Sequence, residues 1–352
     1  MTPMKATSPS LGDKLAPVLT RAWQRRGALA CALWPVSLLF RAASGGRAAL
    51  FRHGLLKSER LPVPVVVVGN IFIGGTGKTP LTIWLAETLR AAGFTPGVIS
   101  RGHGGDGTSP IALDADSTAR QVGDEPLLIA RRTGCPVVVG RSRAAAGRAL
   151  LALHPGVDII ISDDGLQHHA LRRDLEIILF DARGTGNGWL LPAGPLREPP
   201  SRRRDFTIVN APALTPELVA QAGAAPFRMQ LAGGFAEQLA RPGARVPLLE
   251  LAGKRLVAAA GIGNPARFFT MLRAAGLAFA ELPLPDHHDF LDQPFAHVDA
   301  DVILITEKDA VKCGQIENLK HDPRLWVVPV TARLDAALAE QIVEKCRGCS
   351  PA

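Results

Sequence analysis

What this 352-residue sequence lacks narrows it first. It has no tyrosine, and nothing in the composition accounts for that. Cysteine occurs five times, as Cys31, Cys135, Cys313, Cys346 and Cys349. An odd number at scattered spacing excludes a disulfide framework and fits a reducing compartment. Cys346 and Cys349 form a lone C-x-x-C near the C-terminus, with no second pair to complete a zinc site. It reads as a frayed tail. Internal repeats and long low-complexity tracts are missing, which excludes a solenoid or a disordered scaffold.

Acidic residues are scarce at one end. Residues 1–60 hold ten Lys or Arg but only Asp13 and Glu59, so the whole formal charge of +8 lies there. The remaining chain is balanced, which argues against a nucleic-acid surface over the body. A basic arm carrying Leu, Val and Trp suits an anionic membrane surface instead. Its apolar run, 27–40, lies between Arg25-Arg26 and Arg41 and contains Pro35. As a helix that run would span roughly 21 Å, short of a hydrocarbon core about 30 Å thick. The expectation is an uncleaved amphipathic segment in the membrane interface, not a spanning helix.

What is present is enough apolar residue, 47% against 20% charged, to bury two cores. Residues 63–68 (VPVVVV) read as a strand buried on both faces of a parallel sheet. Similar runs recur at 136–139, 157–162, 175–181 and 205–210, with helical patterns at 78–92, 124–133 and 141–153. A linker texture rich in Ala, Gly and Pro follows over 211–250. Then come strands at 255–260, 301–306 and 325–330 and helices at 264–275 and 334–345. The expected fold is α/β, a P-loop NTPase-like, mostly parallel sheet with helices on both faces, plus a second, smaller α/β domain. The expected divisions are a basic membrane-associating segment over 1–60, a P-loop core over 61–225 and a C-terminal domain over 226–352.

The first buried strand runs into Gly74-Gly75-Thr76-Gly77-Lys78-Thr79, which opens a helix. Glycines let backbone N–H groups close on phosphate oxygens, Lys78 supplies charge to the β- and γ-phosphates, and Thr79 offers a hydroxyl to Mg²⁺. Phe72 stands where the usual pattern has its first Gly, so the loop is a variant. Asp163-Asp164 ends the 157–162 strand, placed to hold Mg²⁺ as a Walker B pair. Gly123-Asp124-Glu125-Pro126 reads first as a helix cap, with a base facing the γ-phosphate as the other reading. Pro285-Asp286-His287-His288-Asp289-Phe290 is open to three readings: a metal site, a base dyad, or a polar loop. Arg197-Glu198, inside the Pro/Gly-rich loop 190–199, is not a packing signature, and Arg197 is suited to hold a phosphate or to orient Glu198. A nucleotide-dependent switch or chaperone would share the P-loop. A GTP reader would show N-K-x-D, and the nearest string, Thr306-Glu307-Lys308-Asp309, lacks the Asn.

These strings together resemble the tetraacyldisaccharide 4′-kinase (lipid A 4′-kinase) family. The matching stretches are 68–80 (VGNIFIGGTGKTP), 100–105 (SRGHGG), 123–126 (GDEP), 161–169 (ISDDGLQHH), 172–182 (RRDLEIILFDA), 190–199 (LLPAGPLREP), 261–269 (GIGNPARFF), 284–290 (LPDHHDF) and 306–312 (TEKDAVK). The resemblance implies transfer of the γ-phosphate of ATP, with Mg²⁺, to the 4′-hydroxyl of a tetraacyldisaccharide 1-phosphate. It implies action at the cytoplasmic face of the inner membrane, peripheral or monotopic, with the N-terminal helix on that anionic surface and a second domain that closes the cleft; a monomer that binds no nucleic acid is the accompanying expectation. By position, Gly74, Gly75, Thr76, Gly77, Lys78 and Thr79 fall on the family's nucleotide loop, and Thr79, Asp163 and Asp164 on its metal residues. Asp124 falls on its proposed base, His287 on the supporting histidine and Glu198 on a loop glutamate near the site. The resemblance thus favours the base over the cap at Asp124.

Overall fold

The computed structural model describes residues 19–102, 109–223 and 225–349, so part of the basic arm and the end of the 100–105 motif lie outside the described residues. Its spine is β1 (Val65–Gly69), buried at every residue. Four consecutive valines suit a strand covered on both faces. Val66 and Val68 enter one core with Leu81, Leu85 and Leu89 of the Lys78–Ala91 helix. Val65 and Val67 enter the opposite core with Ala146 and Leu150 of the Arg143–Leu153 helix.

Around β1 lie β2 (Pro96–Ser100), β3 (Ile111–Ala112), β4 (Val137–Val139), β5 (Ile159–Asp163), β6 (Leu175–Asp181), β7 (Phe206–Asn210), β8 (Phe227–Ala232) and, from near the C-terminus, β15 (Thr331–Arg333). The nine strands are ordered β15-β8-β7-β6-β1-β5-β2-β4-β3. All neighbouring pairs are parallel except the two edges, β3 with β4 and β15 with β8. The β1–β5 register sets Val68 opposite Asp163, so the phosphate loop and the aspartate pair leave neighbouring strands at the same sheet end.

A second sheet contains β9 (Phe235–Gln238), β10 (Arg245–Pro247), β11 (Leu256–Ala260), β12 (Ala280–Pro283), β13 (Val302–Thr306) and β14 (Leu325–Val328). Its order is β10-β9-β14-β13-β11-β12. Phe268, Phe269 and Leu272 of the Pro265–Ala274 helix cover one face, and Phe290 and Phe295 the other.

The sheets divide the chain differently from the expected boundary at 225/226. β8 extends the first sheet, and β15 returns to it after the second sheet is complete. The Ala336–Arg347 helix then lays Leu338, Ile342 and Cys346 into the first core. The smaller unit is thus inserted into the larger, because β8 needs β15 and the sheet needs that helix as cover. The 211–250 stretch read as linker holds β8, β9 and β10 and the Pro216–Ala222 helix. Cys346 is no frayed tail: it is 2% exposed in the core, and burial pushes its thiol up to about 12.

The N-terminal apolar run is part of a 25-residue helix, Ala28–Arg52, that continues through Gly45 and Gly46. By length and composition it is able to cross a membrane, which the shorter run was not. Only 11% of its most apolar window is buried against the protein. Ser37 is one buried point: its hydroxyl donates to the Leu190 carbonyl and accepts the Ala193 N–H, both at 2.9 Å. Trp34 meets Trp189, and the Trp23 indole donates to the Pro192 carbonyl. The Pro/Gly-rich loop 190–199 is therefore clasped by the N-terminal segment.

Candidate active site

The turn after β1 is folded by Asn70, whose amide donates to the carbonyls of Phe72, at 2.7 Å, and Gly74, at 3.1 Å. Gly77 begins the helix at φ 102°. A Cβ there would lie 2.6 Å from Asn210 Nδ2, so the conformation and the space both require glycine. The Lys78–Ala91 helix has no side-chain cap, which leaves its first N–H groups for an anion. Lys78 Nζ lies 3.2 Å from Asn70 Oδ1 and 3.7 Å from Asp164 Oδ1.

Asp163 and Asp164 differ sharply. Asp163 is the last residue of β5, 1% exposed, and accepts the hydroxyls of Thr82 at 3.1 Å and Ser100 at 3.3 Å. Burial pushes its carboxyl up to about 6; the Glu125 charge adds to this and Lys78 opposes it. Asp164 turns out of the strand at φ 48°. Burial would raise its carboxyl as well, but Lys78, Arg197 and Arg143 hold it below the usual range. Its Oδ1 is buried and has no hydrogen-bond donor among the described residues.

Asp124 is the first residue of the Asp124–Thr133 helix; the capping position itself falls to Gly123, with no side-chain cap. The Asp124 carboxylate is turned to the second unit. His287 Nδ1 lies 3.1 Å from its Oδ2, Lys312 Nζ 3.6 Å and Lys308 Nζ 3.8 Å. Burial alone would raise this carboxyl; the His287 hydrogen bond and the two ammonium groups hold it at about 2. The same hydrogen bond raises His287, against its own burial and the nearby Lys308. Within the 285–290 loop it is thus His287 that pairs with Asp124.

Arg197 and Glu198 part company. Arg197 reaches Asn70 Oδ1 and lies 3.5 Å from Asp164 Oδ2. Glu198 faces the other way, accepting Gln167 Nε2 at 2.8 Å and pairing with Arg202. It meets the site through Gln167, whose Oε1 accepts from Arg197 at 3.3 Å.

A cleft of about 630 Å³ joins the two units, lined by Gly75 to Pro80, Glu125 and Lys308. Apolar groups of the second unit, Phe268 and Met271, face it, as do Asp181 and Asn210 from the ends of β6 and β7. Asp181, 1% exposed, is shared between Arg183 at 2.7 Å and Arg267 at 3.0 Å, one from each unit. Arg267 also donates to the Thr76 carbonyl, 3.2 Å away, beside Asn210 at 2.8 Å. Sequence reasoning passed over Asn70, Asp181, Asn210, Arg267, Lys308 and Lys312. Asp181 and Asn210 carried a usable signal, since ligands of such sheets sit outside the C-terminal strand ends. Arg267 and the two lysines carried no signal beyond their place in the 261–269 and 306–312 stretches, because only the fold brings Arg267 to Thr76 and the lysines to Asp124.

Comparison with known proteins follows the same lines. Residues 29–347 match the family model described as tetraacyldisaccharide-1-P 4′-kinase. The tetraacyldisaccharide 4′-kinase of Janthinobacterium sp. (strain Marseille) is 62% identical over 344 residues, covering 96% of this chain and 98% of that one. That of Herminiimonas arsenicoxydans is 59% identical over 349 residues, covering 94% and 95%. The "apo" form of LpxK from Aquifex aeolicus in complex with ATP superposes with a TM-score of 0.74 at 28% identity, covering 90% of this chain and 99% of that one. The chain belongs to the tetraacyldisaccharide 4′-kinase family.

Proposed function

We propose that the protein moves the γ-phosphoryl group of ATP to the 4′-hydroxyl of tetraacyldisaccharide 1-phosphate, at the cytoplasmic face of the inner membrane. One observation carries the reading. The phosphate loop with Lys78 and Thr79 shares a cleft with Glu125 and Lys308, the neighbours of the Asp124–His287 pair. The phosphate-binding groups and the immediate neighbours of that pair thus border one space.

Thr79, Asp163 and Asp164 would hold Mg²⁺. The donor set is all oxygen, as a hard cation requires, and Asp164 Oδ1 is buried with no hydrogen-bond donor among the described residues. When bound, the ion neutralises charge on the β- and γ-phosphates. The chain's own part is positional. Loop amides and Lys78 cradle the phosphates, and Arg197 fixes Asp164 and Asn70 with one guanidinium. The acceptor oxygen bonds to the γ-phosphorus as the bond to the β–γ bridging oxygen breaks. Its proton passes to the Asp124–His287 pair, and ADP leaves. Glu198 bears on this only through Gln167 and Arg197.

The exposed apolar side of the Ala28–Arg52 helix suits a lipid surface, and the loop it clasps contains Arg197. That arrangement supports delivery of a membrane-held acceptor to the phosphate site. The test is label from γ-labelled ATP in detergent-dispersed tetraacyldisaccharide 1-phosphate, with Lys78→Ala expected to lower transfer at least about 100-fold. Nucleotide turnover with no labelled lipid would discard the acceptor in favour of a nucleotide switch.

A further inference from the structure

The TEKDAVK stretch has no part in the reaction as described so far, yet it is aimed at it. It forms the Glu307–Cys313 helix of the second unit, capped by Thr306, whose hydroxyl accepts the Asp309 N–H. Lys308 and Lys312, one helical turn apart, point at the same atom of the first unit, Asp124 Oδ2. Lys308 also bonds Glu125 Oε1 at 3.0 Å. Lys312 is 11% exposed, lies over the Phe290 ring, and stands between Asp124 at 3.6 Å and Asp309 at 3.8 Å. Its ammonium has no hydrogen-bond partner among the described residues, so it is held for its charge more than for a directed bond.

The helix also places the histidine. Asp309, wholly buried, accepts the Gly261 N–H at 3.1 Å, and the Gly261 carbonyl accepts the His287 N–H at 3.1 Å. A Cβ on Gly261 would lie 2.9 Å from Asp309 Oδ1, so this approach depends on glycine. His287 is held at φ 59°, a conformation few side chains take. One short helix thus fixes the backbone of His287 and lays two cations against its carboxylate partner.

We propose that Lys308 and Lys312 are positioning residues for phosphoryl transfer, holding the Asp124–His287 pair at one net negative charge so that it accepts the proton of the attacking hydroxyl. The proposal rests on the reading of that pair as the proton acceptor. Among the described residues, the charged groups around the pair are Asp286 at His287 and Lys308 and Lys312 at Asp124, with Glu125 and Asp309 paired in turn to those lysines. The carboxylates favour protonation of the ring and the ammonium groups oppose it. The pair titrates as a unit. With either lysine gone, it takes up a proton at a higher pH, and a larger share of it is protonated near neutrality.

The experiment is the pH dependence of kcat/KM for lipid acceptor in Lys308→Met, Lys312→Met and the corresponding Arg variants. The expected result is an acid limb displaced to higher pH in the Met variants. Turnover at pH 6.5, the ordinary histidine value, would fall about threefold or more relative to the alkaline plateau, and Arg would restore it. An unmoved limb, or a loss equal at every pH, would overturn the proposal. Should a Met variant fold poorly, the ring titration of His287 by NMR in Lys308→Gln, Lys312→Gln and wild type reads the same coupling. His287→Gln separates the two claims. Loss of the limb in that variant assigns it to the pair, whereas its persistence defeats the pair reading whatever the lysines do.

Discussion

Arg197 and Asp164 lie on separate loops, yet the guanidinium stands 3.5 Å from Asp164 Oδ2 while Lys78 stands 3.7 Å from Oδ1. One carboxylate is thereby suspended between two cations beside the phosphate loop. Arg197 spans Asp164, Asn70 and Gln167 at once, which a single ammonium cannot do. Arg197→Gln is expected to lower kcat by about 10- to 100-fold, and Arg197→Lys to recover only part of it. Full activity in the Lys variant would show that charge alone is needed there.

Asp163 predicts a pH effect on stability. Its folded-state value is raised to about 6 from 3.8, by burial first. Between those values the folded state binds more protons at this group than the unfolded chain does, so this contribution falls as pH rises. Free of metal, Asp163→Asn should melt higher than wild type at neutral pH, by about 2–5 °C, and the two should converge near pH 4. Transfer activity should be lost. Calorimetry in chelator across that range decides it, and a lower melting point for the variant would refute the buried charge as a cost.

Ser37 joins the N-terminal helix to the 190–199 loop by two hydrogen bonds. Ser37→Ala removes the hydroxyl with little change in volume and strands the Leu190 carbonyl and the Ala193 N–H. The expected loss is about 1–3 kcal/mol in denaturant unfolding, with a raised KM for lipid acceptor because Arg197 lies in the same loop. A KM change for ATP alone would mean that the loop serves only the nucleotide.

Leu39 is 71% exposed on the Ala28–Arg52 helix. If that face enters lipid, Leu39→Asp should weaken partition into anionic vesicles by about tenfold or more, leaving turnover on a detergent-dispersed acceptor near wild type. Unchanged vesicle sedimentation would place this face away from the bilayer.

The parts of the fold written in local pattern were legible. The Val65–Val68 run, the later β-branched runs and the helices between them all formed where periodicity put them, because burial on both faces demands unbroken apolar strands. The phosphate loop was legible for a similar reason: its glycines, lysine and threonine are contiguous, so one turn carries the chemistry. Asp124 was read first as a cap and does begin a helix. The sequence could not show where its carboxylate points.

The sequence by itself determined the sheet core, the phosphate loop and the concentration of basic and apolar residues at the N-terminus, since each depends on neighbours in the chain. Tertiary structure alone decided the partners. Topology inserts the second unit between β8 and β15, and this brings His287, Lys308 and Lys312 to Asp124 and Arg267 to Asp181. It also turns Arg197, and not Glu198, toward Asp164. Electrostatic interaction depends on distance in space, and for these residues the distance is set by chain segments that share no local pattern.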